Sequence, residues 1–252
     1  MREHPGGRFH LHGRRRGRRL RTGQRAILEA LLHKLRVNLP DAGGRVDPVA
    51  LFGPGIRDVW LEIGFGGGEH LAWQAAHHPG VGLIGAEFFV NGVASLLAHV
   101  ARQGLENIRI HPDDARPLVQ ALADRSVGRV FVLFPDPWPK TRHARRRLIS
   151  SEMVIDLARI LKDAGELRMA SDDPAHIRWI LDHLTACLDF EWLARSPADW
   201  RRRPVDWPAT RYEEKAMKAG RGAVCLRFRR RARANGLPLA DPRETGLRPI
   251  GN

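Results

Sequence analysis

The chain has 252 residues and 43% hydrophobic content, enough for one sizeable core flanked by tails. Its 42 basic residues, 37 Arg and 5 Lys, outnumber the 28 acidic ones by 14, a surplus that draws polyanions; the planar fork of Arg suits phosphate in particular. Two distant cysteines with no Cys-x-x-Cys pair argue against a zinc knuckle or ribbon, and no metal is expected; no apolar run nears the ~20 residues of a membrane span, and the Arg-rich start lacks an apolar signal core, so a cytoplasmic destination is expected.

Residues 1–25 hold nine Arg and several Gly. They cannot bury enough apolar surface to fold alone and read either as a disordered basic tail or as an arm that orders on RNA. Residues 26–39 predict a short helix on Ile27, Leu28, Leu31, Leu32 and Leu35, and 40–56 a Gly/Pro-rich linker. Strand-type apolar runs follow at Asp58–Ile63, Val81–Ala86, Ile108–His111, Val130–Phe134, Glu166–Ala170, Phe190–Ala194 and Ala223–Arg229. Helical patterns fall between most of them, at Glu69–His77, Asn91–Gln103, Arg116–Ala123, Arg146–Leu161 and Pro174–Leu188. This alternation predicts an α/β domain over 26–231, with a mostly parallel seven-stranded sheet and helices on both faces. The last two strands are joined instead by 28 residues rich in Trp, Arg and Pro, and a connection that long is usually functional. Residues 232–252 read as a flexible tail.

The first strand runs into Leu61-Glu62-Ile63-Gly64-Phe65-Gly66-Gly67-Gly68-Glu69. Glycines between a strand and a helix permit a tight turn and close approach to a ligand, here through Gly64 and Gly66. The neighbouring acids select the ligand. Glu62 closes the first strand and Glu87 the second; Asp114, beside Asp113, follows the third and Asp136 the fourth. Ligands of open α/β sheets bind outside the carboxyl ends of the strands, so these acids should ring one crevice. A dinucleotide pyrophosphate would be repelled there, and its fingerprint wants a third Gly where Glu69 stands. S-adenosylmethionine, with a sulfonium, an ammonium and no phosphate, suits such a crevice. Glu87 is placed to take the ribose, Asp114 the adenine end and Glu62 the methionine end.

After the fourth strand comes Phe134-Pro135-Asp136-Pro137-Trp138-Pro139-Lys140-Thr141-Arg142-His143-Ala144-Arg145-Arg146-Arg147-Leu148. Three prolines make this loop stiff, and a stiff loop at a cofactor crevice pre-positions reacting groups. Asp136 can accept from a base edge or hold the methionine moiety, and Trp138 can support a base or pack beneath the loop. Lys140 with the run Arg142, His143, Arg145, Arg146 and Arg147 predicts a phosphate clamp.

The Glu62-Ile63-Gly64-Phe65-Gly66-Gly67-Gly68 loop, the Phe-Pro-Asp-Pro-Trp-Pro-Lys segment and Thr210-Arg211-Tyr212-Glu213-Glu214-Lys215 resemble the tRNA (guanine-N7-)-methyltransferases. The resemblance runs from about Arg21 to Arg230. It implies a Rossmann-like class I methyltransferase fold that methylates a guanine of the tRNA variable loop and acts without a partner subunit. It implies cofactor contacts at Glu62, Glu87, Asp114 and Asp136, and substrate contacts at Lys140, Asp172, Thr210, Arg211, Tyr212 and Glu213. Thr141 and Ala144 stand where family members often carry a basic residue or His; the Arg14–Arg19 cluster could compensate.

The chemistry agrees with this constellation. Guanine N7 has a free lone pair, so no general base is needed, and His143 and His111 are expected in RNA contact and packing. Carboxylates can hold the guanine N1–H and N2–H₂ edge and stabilise the positive charge that develops on the base. Asp136 is the expected catalytic group, with Asp172 and Glu213 on the base edge. The competing readings are another base- or amino-methylating nucleic-acid enzyme, a non-catalytic RNA-binding protein on the same fold, and a dinucleotide oxidoreductase, which the acids disfavour.

Overall fold

The computed structural model describes residues 13–41 and 43–233. The first twelve residues of the expected arm, and the expected tail from residue 234 onward, lie outside them. The strands are β1 (Asp58–Ile63), β2 (Val81–Ala86), β3 (Ile108–His111), β4 (Val127–Leu133), β5 (Leu161–Ser171), β6 (Phe190–Trp192) and β7 (Val224–Arg230). They form one sheet in the order β3-β2-β1-β4-β5-β7-β6. Neighbours are parallel from β3 to β5, and β7 runs antiparallel between β5 and β6. Strand order reverses at β1, which pairs with β2 on one side and β4 on the other, so a crevice opens at their carboxyl ends.

Alternation along the strands divides the core into two layers. Val59, Leu61, Ile63, Val130 and Val132 meet helices α4 (Ala115–Ala121), α5 (Ser151–Ile160) and α6 (Pro174–Ala186) on one face. Trp60, Leu83, Phe131 and Leu133 meet α1 (Thr22–Leu35), α2 (Glu69–His77) and α3 (Val90–Gln103) on the other. Side-chain caps set several helix starts. Asp114 accepts from Arg116 N at α4, Ser150 from Met153 N at α5, and Asp173 from His176 N at α6.

Three expectations shift. The first helix starts at Thr22, where the Arg21 N–H donates to Gln24 Oε1 at 3.2 Å. It ends at Leu35; Arg36 then bridges to Ile110 in parallel and the Val37 N–H donates to Ile110 O. The helix expected from Arg146 begins only at Ser151, because Thr141–Arg146 forms a 3-10 turn and Ser150 supplies the cap. The long connection after β6 contains two short helices, α7 (Ala198–Arg201) and α8 (Arg211–Lys218).

Residues Gly13–Arg19 lie against the start of α3. The Val90 N–H donates to Arg15 O, the Gly17 N–H to Asn91 Oδ1, and Asn91 Nδ2 to Arg18 O, at 2.7–3.0 Å. Arg15 pairs with Asp113 at 3.6 Å. The part of the basic arm nearest the domain is therefore seated beside the crevice.

Candidate active site

The glycine loop is built by its own conformation and by the acid of the next strand. Gly64, Gly66 and Gly68 have φ of 72°, 55° and 80°, the left-handed region that L side chains resist. Glu87, just past β2, takes the Gly66 N–H on Oε2 at 2.8 Å and the Phe89 N–H on Oε1 at 2.9 Å. Burial pushes the Glu87 carboxyl above the ordinary carboxylate range against the pull of these backbone donors, and the charge of Asp136 adds to the rise. Asp136, past β4, is thus near enough to Glu87, past β2, for its charge to be felt there.

Glu62 points to the α2 side of β1, where its Oε2 lies 2.7 Å from His70 Nδ1. Glu62, Gly64, Glu69, His70, Phe134 and Thr210 line one small cavity. Asp114 lines a second cavity, past β3, with Asp113, His111, Pro117 and the Arg36–Leu39 segment. His111 is buried, and its Nε2–H donates to Asp114 O at 3.0 Å; burial lowers its pKa, so it packs as a neutral ring and steadies the acid's loop.

The proline-rich loop leaves β4 under strain. Phe134 and Trp138 have φ of 52° and 42°, a costly conformation for bulky residues that persists only where the surroundings enforce it. Asp136 and Lys140 are exposed, as are Arg142 and Arg145. Arg146 and Arg147, expected in the phosphate clamp, turn back onto the loop. Arg146 lies over the Trp138 ring at 5.1 Å. Arg147 donates to Pro137 O and Trp138 O and covers Trp179. His143 meets the Trp138 ring edge-on at 5.8 Å.

Thr210 to Glu213, expected to contact the substrate, stand at the start of α8. Thr210 caps α8, accepting from the Glu213 N–H at 3.2 Å; Arg211 and Tyr212 open that helix. Arg211 pairs with Glu69 against the glycine loop. Glu213 pairs with Arg203 at 3.5 Å, and Asp172, just past β5, with Arg221 at 2.8 Å. The sequence signal for α8 is Thr210-x-x-Glu213, a capping-box pattern. His70 and Arg147's inward role carried no comparable signal.

The reversal of strand order at β1, the glycine loop held by Glu87 and the small cavity lined by Glu62, Gly64 and Thr210 give the layout of a Rossmann-like S-adenosylmethionine-dependent methyltransferase. A family model described as "Putative methyltransferase" matches residues 57–226. The tRNA (guanine-N(7)-)-methyltransferase of Rhodospirillum rubrum is 50% identical over 243 residues, covering 96% of this chain and 93% of that protein. The enzymes of the same name from Paramagnetospirillum magneticum and Ruegeria pomeroyi are 54% and 47% identical, each over 88% of this chain and 92% and 95% of their own lengths. The chain belongs to the tRNA (guanine-N7-)-methyltransferase family.

Proposed function

We propose that this chain transfers the methyl group of S-adenosylmethionine to N7 of a guanine in the tRNA variable loop, working in the cytoplasm without metal or partner subunit. The observation that carries the reading is the glycine loop held by Glu87, which takes the Gly66 N–H at 2.8 Å at the end of β2, in a chain whose loop after β4 exposes Asp136, Lys140, Arg142 and Arg145. Among the described residues no helix is long and apolar enough to cross a membrane.

Bound S-adenosylmethionine supplies a methyl carbon activated by its sulfonium. Gly64 and Gly66 let the backbone approach it; Glu62, Glu87 and Asp114 hold its methionine, ribose and adenine ends. Asp136 fixes the guanine and stabilises the positive charge that appears on the base as N7 is alkylated. No proton leaves N7, so no side chain has to act as a base. Asp172 and Glu213 take the base edge. Their arginine partners Arg221 and Arg203 steady the carboxylates, whose remaining lone pairs stay available for the base. Thr210, Arg211 and Tyr212 complete the substrate contacts, Lys140, Arg142 and Arg145 bind phosphates, and His143, Arg146 and Arg147 shape the loop that presents them.

The test is methyl transfer from labelled S-adenosylmethionine to bulk tRNA, followed by nucleoside analysis. Label in 7-methylguanosine is expected; label on adenine or on an exocyclic nitrogen would favour the base- or amino-methylating alternative.

A further inference from the structure

His70 lines the same small cavity as Glu62 and is hydrogen-bonded to it. The two side chains are only 2% and 3% exposed. One helical turn on, Gln74 places Nε2 at 2.9 Å from the backbone oxygen of Asp206 and at 3.2 Å from His70 Nε2. A carbonyl oxygen only accepts, so it is the amide nitrogen of Gln74 that faces Asp206. The second hydrogen of that NH₂ then goes to His70 Nε2, which must be the accepting nitrogen. The ring proton therefore sits on Nδ1 and is donated to Glu62. The direction of donation is fixed from the Gln74 amide, through the imidazole, to the carboxylate.

The chain of bonds is also anchored at its far end. The Asp206 carboxylate takes Arg168 Nη1 at 2.7 Å, with Arg129 Nη1 at 3.6 Å. Phe131 and Trp207 close on the His70 ring edge-on, at centroid distances of 4.7 and 6.4 Å. The ring thus has one orientation and one tautomer, the arrangement by which an outer partner orients a ligand-holding group.

We propose that His70 is a positioning residue for Glu62: its neutral Nδ1–H tautomer, selected by Gln74, aligns the carboxylate that receives the methionine end of S-adenosylmethionine and ties it to the connection that carries Thr210 and Glu213. The proposal rests on the reading of Glu62 as a cofactor contact, and its test separates the two.

Protein labelled with ¹⁵N-histidine, with His70 assigned by its loss in His70→Asn, should show by long-range ¹H–¹⁵N spectra a neutral ring protonated on Nδ1. A ring protonated on Nε2 or on both nitrogens at neutral pH overturns the proposal without any cofactor present. By calorimetry, His70→Leu should weaken S-adenosylmethionine binding by about tenfold or more, the size of a lost hydrogen bond to a charged group. His70→Asn, whose amide nitrogen replaces Nδ1, should recover most of that loss, and direct tRNA binding should stay within about twofold in both. Wild-type affinity in a folded His70→Leu, or no recovery in His70→Asn, overturns it. Should His70→Leu not fold, the tautomer and the Asn variant decide. Glu62→Gln tests the underlying reading: unchanged cofactor affinity there removes Glu62 from the cofactor site and leaves the tautomer result standing by itself.

Discussion

Arg147 donates from Nη2 to the backbone oxygen of Trp138 at 3.2 Å, and from Nε to that of Pro137 at 3.1 Å. The tryptophan it holds is in the left-handed region. Three prolines restrict the loop, and one guanidinium from beyond the next turn closes it. The basic run after the loop thus divides by direction. Arg146 and Arg147 face inward and shape the loop; Arg142 and Arg145 face solvent.

That division is measurable. Arg147→Ala should lower kcat by up to about a hundredfold, because the loop loses its register, while tRNA affinity changes by less than about threefold. Arg145→Ala should do the reverse. It should weaken tRNA binding and reduce the slope of log affinity against log salt by about one, with kcat at saturating tRNA nearly unchanged. Single-turnover kinetics beside salt-dependent binding distinguish the two. Equal effects on kcat would sink the assignment.

Much of this layout is legible in the sequence, for reasons particular residues show. β1, β2, β3 and α2 fall where the apolar pattern places them, since parallel strands buried on both faces read as continuous apolar runs. The strand-end acids follow from the fold class, because topology alone brings carboxyl ends together. What the pattern cannot supply is the partner of each acid. Glu87 bonding Gly66, Glu62 bonding His70, and Arg211 lying on Glu69 depend on distances across the crevice. The start of α5 is misplaced because a basic run looks helical, while the side chains of Arg146 and Arg147 are committed to the preceding loop.

Gly92, the third residue of α3, makes a further prediction. A Cβ on Gly92 would lie 2.2 Å from the backbone oxygen of Gly66. Backbone cannot yield as a side-chain tip does, so Gly92→Ala should push the glycine loop away and weaken S-adenosylmethionine binding by at least about tenfold. Gly104, at the other end of the same helix, has φ of 63° and open space around it. Gly104→Ala should cost about 1 kcal/mol of stability through its backbone alone and leave cofactor affinity intact. Calorimetry and urea unfolding of both variants check the contrast.

His176 should make stability fall in acid. It is 1% exposed, neither ring nitrogen has a hydrogen-bond partner among the described residues, and burial, with the charge of Arg147 adding, lowers its pKa from 6.5 to about 4. The unfolded chain binds this proton more readily than the folded one. Stability is therefore fully present above pH 6.5 and falls as pH drops from 6.5 towards 4, by on the order of 2–3 kcal/mol. His176→Leu should flatten the urea midpoint over that window and raise stability at neutral pH by about 1 kcal/mol, since an unsatisfied polar ring is replaced by an apolar group. An unchanged pH slope in the variant would exclude His176 as its source.

The last prediction concerns the reaction itself. Asp136 is exposed in the crevice and close enough to Glu87 to raise that acid's pKa. If its task is to orient guanine and stabilise the positive charge forming on the ring, the carboxylate charge should matter more than its shape. Asp136→Asn keeps the shape and one acceptor oxygen but removes the charge, and should lower kcat by about a hundredfold or more. Folding should be unaffected, because the side chain is not part of the core. Since methylation of N7 releases no proton from the base, the residual activity of the variant should keep the pH profile of the parent enzyme; loss of an acid limb with the substitution would mean that Asp136 acts as a base. Turnover near the parent level in a folded Asp136→Asn would remove the residue from the reaction centre.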